Sequence, residues 1–440
     1  MAEVSSDSAA KPSPINLIFV LFIVSAIVFA ACNNSMKAVT DASFDSAKGA
    51  VTLALNLIGI MSLWLGLVRI LEAGGLLYTL ARWMRPLMCR LFPEVPADHP
   101  AMGAMLLNMS ANMLGLGNAA TPFGIKAMIE LNKLSTAPGT ATNAMCLFLA
   151  INTSSITILP LGVIGVRAAA GSSDPAGIFL TTLVATCCST LVAILTAKLL
   201  SRSSEDPSMM TSEVRDSETA SDEYEHLRMP VAWFHQVLAW GSLLVFFSAA
   251  AFHTLHAPSK IEFLTKDFVS YWLMPFLMLL IIFYGLLRGV KMYEAVTEGA
   301  KQGFDIAIKI IPYLVAILVA IAMFRASGAM EALAYFVNPI TGLIAMPAEV
   351  LPLALVRPLS GSGAFGVMSS LVSAAPDSYA SFLASTMMGS TETTFYVLAV
   401  YFGAIGVHKV RHALWAALTA DIAGIVSACL VCNLMWVSVV

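Results

Sequence analysis

The sequence predicts an all-α polytopic membrane protein made of two inverted-topology repeats. Each repeat carries an interfacial helix, a re-entrant helical hairpin and a broken transmembrane helix. Three observations lead there. The 440 residues are 58% hydrophobic and 12% charged, with a mean hydropathy of +0.82, whereas ordinary soluble domains carry about 25% charged residues. Apolar runs of about 20 residues, the length a spanning helix needs, recur along the chain. Polar, glycine-containing segments interrupt those runs at matching places in the two halves. The balance of 24 basic and 27 acidic residues offers no basic face, which excludes nucleic acid as a partner.

Nine spans can be drawn, at about 15–36, 49–72, 139–168, 177–200, 229–253, 267–289, 302–325, 377–407 and 413–438. A polar tail (1–14) precedes a first repeat (15–200). A disordered acidic linker (201–228, SRSSEDPSMMTSEVRDSETASDEYEHLR) and a connecting span (229–253) lead to a second repeat (265–440). Phe29-Ala-Ala-Cys32 resembles a lipoprotein cleavage box, but the preceding region, with Lys11 beside Glu3 and Asp7, is a poor signal-peptide start; an uncleaved first span is expected. Cys429-Leu-Val-Cys432 has redox spacing without a thioredoxin-like context, and the seven cysteines read as small hydrophobes inside helices.

The halves align in order. EAGGLLYTLARWMRP (72–86) matches RASGAMEALAYFVNP (325–339), Gly115-Leu-Gly117 falls opposite Gly361-Ser-Gly363, and LGVIGV (161–166) matches FGAIGV (402–407). Basic residues then set the relative orientation. Arg82, Arg85 and Arg90 have neutral counterparts in Tyr335, Asn338 and Leu343, while His408-Lys-Val-Arg-His412 matches the neutral-to-acidic AAAGSSDPAG after Arg167. Cytoplasmic loops collect Lys and Arg, so equivalent loops lie on opposite sides. The expected placement is a multi-pass protein of the bacterial inner membrane, with the N-terminus and linker cytoplasmic and the C-terminus outside. Surface helices are expected at about 73–92 and 326–345. From Glu349 to Gly361 is about a dozen residues, or about 18 Å of helix, which ends near mid-membrane. Hairpin tips are therefore expected at 115–120 and 360–364.

Hydrocarbon cannot satisfy free backbone amides, so breaks at membrane depth persist only against protein or a water-filled cavity. Four breaks meet this description: Gly115 to Pro122, Asn152 to Ser155, Pro358 to Gly363 and Gly389 to Thr394. Inverted symmetry brings all four to one midplane, where half-helix N-termini present amides to a ligand. Asn118, Asn152 and Glu392 are the leading ligand-contacting residues. Gly117 and Thr121 help form the first tip, with Asn118 and Thr121 opening the returning helix and Pro122 in its first turn. Asn108 and Asn112, one turn apart, either face the site or pin the hairpin arm. Glu392 is the acidic side chain at the breaks, and an intramembrane carboxylate is by default functional: a coupling site for Na+ or H+, a partner for a substrate amine, or both. Its company is expected to be Arg357 or the neighbourhood of Asp421. Arg357 has two roles open, an ion pair with Glu392 or a grip on an anionic substrate group. Small and hydroxyl residues also serve as packing glue between membrane helices.

Enzyme chemistry finds no support. The seven histidines lie near span ends or loops, no H-E-x-x-H pair or Walker loop occurs, and Ser360-Gly-Ser-Gly363 lacks nucleophile-elbow spacing. No metal site or resident cofactor is expected.

NMSANMLGLGNAATPFGIKAM (108–128) resembles the spore maturation protein A family, and RPLSGSGAFGVM (357–368) with MGSTETTFYVLAVYFGAIG (388–406) resembles the B family. Both belong to the nucleoside-recognition, or Gate, superfamily, which includes concentrative nucleoside transporters and the membrane domain of a ferrous-iron transporter. The resemblance covers nearly all of 15–200 and 265–440 and makes the chain look like a fusion of the two. It implies ligand binding between hairpin tips and broken helices, with a sodium site at the first hairpin. Carried over by position, that implicates Gly117 to Thr121, Asn152, Thr153, Ser154, Ser155, Ser360, Ser362, Gly363, Ser390, Thr391, Glu392, Thr393 and Thr394. The nucleoside-binding side chains of those transporters are not reproduced, and no Cys or Met cluster at the breaks argues for iron. The expected function is a secondary-type transporter or exporter of a small polar solute. The alternatives are a non-transporting scaffold or gate partner and a translocase of lipids or lipid precursors. The expected partners are the solute or a lipid headgroup and the bilayer, with a homo-oligomer as the related transporters suggest.

Overall fold

The structure, a computed structural model, describes residues 14–115, 117–202, 225–256 and 272–439. Most of the tail (1–13), most of the acidic linker (203–224), residues 257–271 and the Asn118 side chain lie outside the described residues. The described chain is helical: α1 (Pro14–Cys32), α2 (Met36–Ala73), α3 (Leu76–Leu91), α4 (Pro100–Met113), α5 (Gly117–Leu134), α6 (Asn143–Thr153), α7 (Leu161–Ala169), α8 (Ile178–Ser201), α9 (Trp233–His256), α10 (Leu273–Arg288), α11 (Met292–Ala326), α12 (Ala329–Thr341), α13 (Leu351–Val356), α14 (Gly361–Ala374), α15 (Tyr379–Ser390), α16 (Thr394–Gly403) and α17 (Ala413–Val439). The protein is an all-α polytopic membrane protein. The order long helix, short helix, hairpin, broken helix, final helix occurs twice, in α2–α8 and again in α11–α17.

Among the described residues, Ile178–Ser201, Trp233–His256 and Ala413–Trp436 are long and apolar enough to cross a bilayer as single helices, and Ser62–Ala73 with Leu76–Leu91 forms a pair bent by 66°. The other expected spans take different forms. Those at 139–168 and 377–407 are broken, as the sequence suggested, while Phe19–Cys32, Pro275–Arg288 and Ile311–Ala326 are shorter apolar stretches. α2 and α11, with 38 and 35 residues, would measure about 57 and 52 Å. Both exceed a hydrocarbon core of about 30 Å. Their polar N-terminal turns (Lys37, Asp41 and Asp45; Glu294, Glu298 and Lys301) make up part of the excess. α9 leaves Trp240, Leu244, Val245, Phe247 and Leu255 exposed, as a lipid-facing helix does.

Counterpart helices of the two halves run antiparallel, the relation that inverted copies require. α2 lies along α11 with Asn33, just before α2, donating to Ser327 O (3.0 Å) at one end and Arg69 Nε to Glu298 (3.1 Å) near the other. The broken pair α6–α7 lies along α15–α16 with three ties between them. At one end His408 N–H donates to Gly139 O (3.1 Å) and Ala141 N–H to Lys409 O (3.1 Å). In the middle Glu392 N–H donates to Thr153 O (2.7 Å). At the far end Asp377 accepts from Ser172 Oγ (2.7 Å) and Ser173 N–H (3.0 Å), beside buried Arg167, which donates to Ser172 Oγ (2.9 Å). The apolar cores are mixed accordingly. α6 packs with α16 and α17 of the second half, and α15 packs with α7 and α8 of the first.

Local chemistry explains the element ends. Gly75, in the left-handed region at φ +77°, turns the chain from α2 into α3. Thr142, Ser360 and Ser378 cap α6, α14 and α15 by accepting from Met145, Gly363 and Ser381 N–H. Two boundaries differ from expectation. α5 already begins at Gly117, so Pro122 sits in its second turn and leaves the Asn118 carbonyl without its helical donor. The second tip lies at 357–360, because the Ser360 cap draws Gly361 to Gly363 into α14.

Two results are expected. A Cβ on Gly66 would lie 2.7 Å from Val296 O, whereas Gly59 has open space. Gly66→Val should therefore destabilise the detergent-solubilised protein by about 1–3 kcal/mol while Gly59→Val does not, as read by denaturant unfolding. At the far-end clasp, burial alone would raise the Asp377 carboxyl, but bonds from Ser172 and Ser173 and the nearby Arg167 guanidinium hold it below its ordinary value. Its contribution is thus complete above about pH 3.9 and lost as pH falls through the lower folded value. Thermal unfolding should separate wild type from Asp377→Asn at neutral pH, and the two should converge in acid.

Candidate solute site at the crossing of the broken helices

The two breaks differ in length. Residues 154–160 separate α6 from α7, and 391–393 separate α15 from α16. Backbone groups at and beside the breaks bond to the other break, to a hairpin or, for Ser154 O, to Thr190 Oγ1 on α8 (2.7 Å). Ile158 N–H donates to Met113 O (2.8 Å) at the first tip, and Phe395 N–H donates to Pro358 O (3.0 Å) at the second. Each tip is thereby tied to its own broken helix, and the Glu392–Thr153 bond ties the broken helices together. Gly115, at φ +73°, makes the first turn, and a Cβ there would collide with Leu159 O.

Two cavities flank the crossing. The larger, of about 500 Å³, is lined by Asn112, Thr121, Asn152, Ser360, Ser362, Glu392 and Thr393, together with Tyr313, Tyr396 and Tyr401. The smaller, of about 320 Å³, is lined by Asn112, Gly115, Arg357, Gly361 and Glu392 against apolar Leu161, Val163, Phe365 and Met388. Asn112, Gly361 and Glu392 border both.

A polar chain forms one wall. Asn112 Nδ2 donates to Asn152 Oδ1 (2.9 Å), Asn152 Nδ2 to Phe148 O (2.9 Å), and Tyr401 Oη to Asn152 Oδ1 (3.2 Å). Asn108 Nδ2 donates to Tyr401 Oη (3.0 Å) and to Ala120 O (2.8 Å) on the other hairpin arm. Asn108 therefore pins the hairpin, whereas Asn112 both pins it and borders the cavities. Tyr401 reaches this position because residue 124 is glycine; a Cβ there would collide with the phenol oxygen.

The opposite wall is charged. Arg357 Nη1 donates to Thr393 Oγ1 (3.1 Å), and its Nη2 lies 3.8 Å from Glu392 Oε2. The Arg357 side chain is 3% exposed and that of Glu392 45%. The cation is thus shielded while the carboxylate remains reachable. Thr394 Oγ1 donates to Oδ2 of buried Asp421 (2.7 Å) on α17.

The remaining expected residues serve the backbone. Thr153 and Ser154 donate to Ala150 O (2.9 Å each), Ser390 donates to Met387 O (2.8 Å), and Gly363 N–H caps onto Ser360. Ser155 and Thr391 are buried and line neither cavity. Gly117 opens α5. Tyr313, Tyr396 and Tyr401 were not singled out from sequence. Tyr401 falls seven residues after Thr394, on one face of α16, which is a legible signal. Asp421, a carboxylate inside the last apolar run, is another.

A family model described as nucleoside recognition (Gate) matches residues 54–170 and 307–407. Spore maturation protein A of Bacillus subtilis (strain 168) is 45% identical over 181 residues, spanning 41% of this chain and 92% of the relative. Spore maturation protein B of the same organism is 44% identical over 171 residues, spanning 39% of this chain and 96% of the relative. The chain belongs to the Gate family. This Gate protein has two relatives covered almost whole, each accounting for roughly two fifths of it, which is consistent with a fusion of the two. A crystal structure of the Alcanivorax borkumensis YdaH transporter, 13% identical, aligns over 96% of this chain and 98% of its own with a TM-score of 0.33.

The Tyr401 network makes a coupled prediction. Gly124→Ala should cost about 1–3 kcal/mol of stability by displacing the phenol. In a Tyr401→Ala background the same substitution should cost markedly less, as read by a double-mutant cycle in detergent.

Proposed function

We propose that this Gate protein is a secondary-type transporter or exporter that holds a small polar solute between the hairpin tips and the broken helices. The observation that carries the reading is the cavity of about 500 Å³. It combines amide, hydroxyl and phenol groups from both repeats with one accessible carboxylate, Glu392, at a break in the helices. A packed structural core has no need of such a space, and an intramembrane carboxylate is costly without a task. The solute is held by Asn112, Asn152, Thr121, Ser360 and Ser362, while Glu392 couples binding to an ion, H+ or Na+. Movement takes the form of the hairpins and broken helices shifting against the outer helices. Tyr313 on α11 fits this division, because it meets the cavity from an outer helix.

The reading places the protein in the bacterial inner membrane with the linker cytoplasmic. Two arrangements support that orientation. The linker's end packs on the face where α2 ends, with Arg228 Nε donating to Ala73 O (3.0 Å), next to the basic α3. The basic loop at 408–412 joins the α5–α6 loop, whereas the loops joined at the other end carry Asp174 and Asp377.

The test is a thermal-stability screen of the purified protein against nucleosides, amino acids, dicarboxylates and lipid headgroups, with and without sodium. At least one solute should raise the unfolding temperature, and Glu392→Gln should abolish that response while remaining folded. Stabilisation by no solute, or an unchanged response in Glu392→Gln, would overturn the proposal.

A further inference from the structure

The described residues place three ionisable groups together beside the cavities, and their charges do not balance. Arg357 is buried, and it acts electrostatically with both Glu392 and Asp421. Asp421 is 2% exposed, with Oδ2 held by Thr394 and Oδ1 lacking any hydrogen-bond partner among the described residues. Arg357 Nε is likewise buried and unpartnered. One segment connects the three: Glu392 carries the accessible carboxylate, Thr393 receives Arg357, and Thr394 holds Asp421.

One guanidinium and two carboxylates sum to a net charge of −1 when all are ionised. An uncompensated charge away from water is strongly disfavoured. Among the described residues, Arg357 is the charged group that acts on Asp421. The helices packed on α17 meet it with hydroxyls, Ser189 on α8 and Thr394 on α16 among them. Around Glu392 the further titratable groups on the cavity lining are the phenols Tyr313, Tyr396 and Tyr401. One guanidinium therefore serves two carboxylates: Glu392, which reaches the cavity, is compensated there by water or by a cationic solute, and Asp421, which is shut away, by Arg357 or by a proton.

The larger cavity points to the kind of solute. Glu392 is the charged side chain among its described lining residues, and three tyrosines stand around it. Arg357 does not line this cavity and is engaged with Thr393 and Glu392, so an anionic solute would meet a carboxylate and no free cation.

We propose that the site takes a cationic solute at Glu392 in exchange for one proton carried by Asp421. This rests on the solute-carrier reading above. When the solute's cation engages Glu392, Arg357 is released from that carboxylate and its field falls on Asp421. Asp421 then ionises and its proton leaves to solvent, so one positive charge enters as one leaves. Return of the proton to Asp421 draws Arg357 back and weakens the hold on the solute.

The test uses the purified full-length protein with putrescine and choline as cationic probes, succinate as an anionic probe and uridine as a neutral one. A cationic probe should bind, with affinity rising about tenfold per pH unit over the range in which one proton is released, and succinate and uridine should not. Asp421→Asn should weaken cation binding and flatten that pH dependence. If Asp421→Asn does not fold, calorimetry on wild type in buffers of different ionisation enthalpy reads the same quantity, with one proton released per cation expected. Binding of succinate or uridine with the cations silent would overturn this inference and leave the carrier reading standing. Cation binding with no proton release would also overturn it. No response to any of these probes would overturn this inference, and the carrier reading would fall with it only if the wider stability screen is silent as well.

Discussion

The architecture depends on one backbone hydrogen bond, from Glu392 N–H to Thr153 O at 2.7 Å, where two interrupted helices cross. Breaking a helix inside a membrane frees amides and carbonyls that hydrocarbon cannot satisfy. Each break here is met by the other break or by a hairpin tip, through the pairs Ile158–Met113 and Phe395–Pro358. A single repeat would leave the crossing bond unmade. Both halves are therefore needed at the same place, and a fusion of an A-like and a B-like half supplies both in one chain.

Two consequences follow for the site. Because the crossing is held at both ends, by the 139–408 and 172–377 contacts, the short non-helical stretches are fixed in position while still bordering open space. Because the halves have diverged, the two walls of that space differ. The first hairpin contributes amides that bond to Asn152 and Tyr401, while the second half contributes Arg357 from its hairpin and, from its break, Glu392 and the Thr394 that holds Asp421. A repeated scaffold thus carries an asymmetric chemistry.

Much of this was legible in the residues. Gly115-Leu-Gly and Gly361-Ser-Gly, set against ordered flanking matches, located both hairpins, and the positions of the arginines implied inversion. Less legible were features that depend on contacts distant in sequence. Tyr313 and Tyr396 read as ordinary apolar-face residues until α11 and α16 are brought beside the hairpins. Thr153, Ser154 and Ser390 share the composition of binding residues, but their hydroxyls turn back onto the preceding helical turn. The second tip was displaced because capping by Ser360 outweighed the flexibility of the glycines after it.

The central claim is that the crossing borders an open, water-accessible site deep in the membrane. Cysteine accessibility tests this most directly, in a background with the seven native cysteines replaced. A cysteine at Ser362, on the cavity wall, is predicted to react with a membrane-impermeant thiol reagent, while one at Ser154, packed against α8, is predicted not to. Equal reactivity at the two positions, or none at Ser362, would contradict the account.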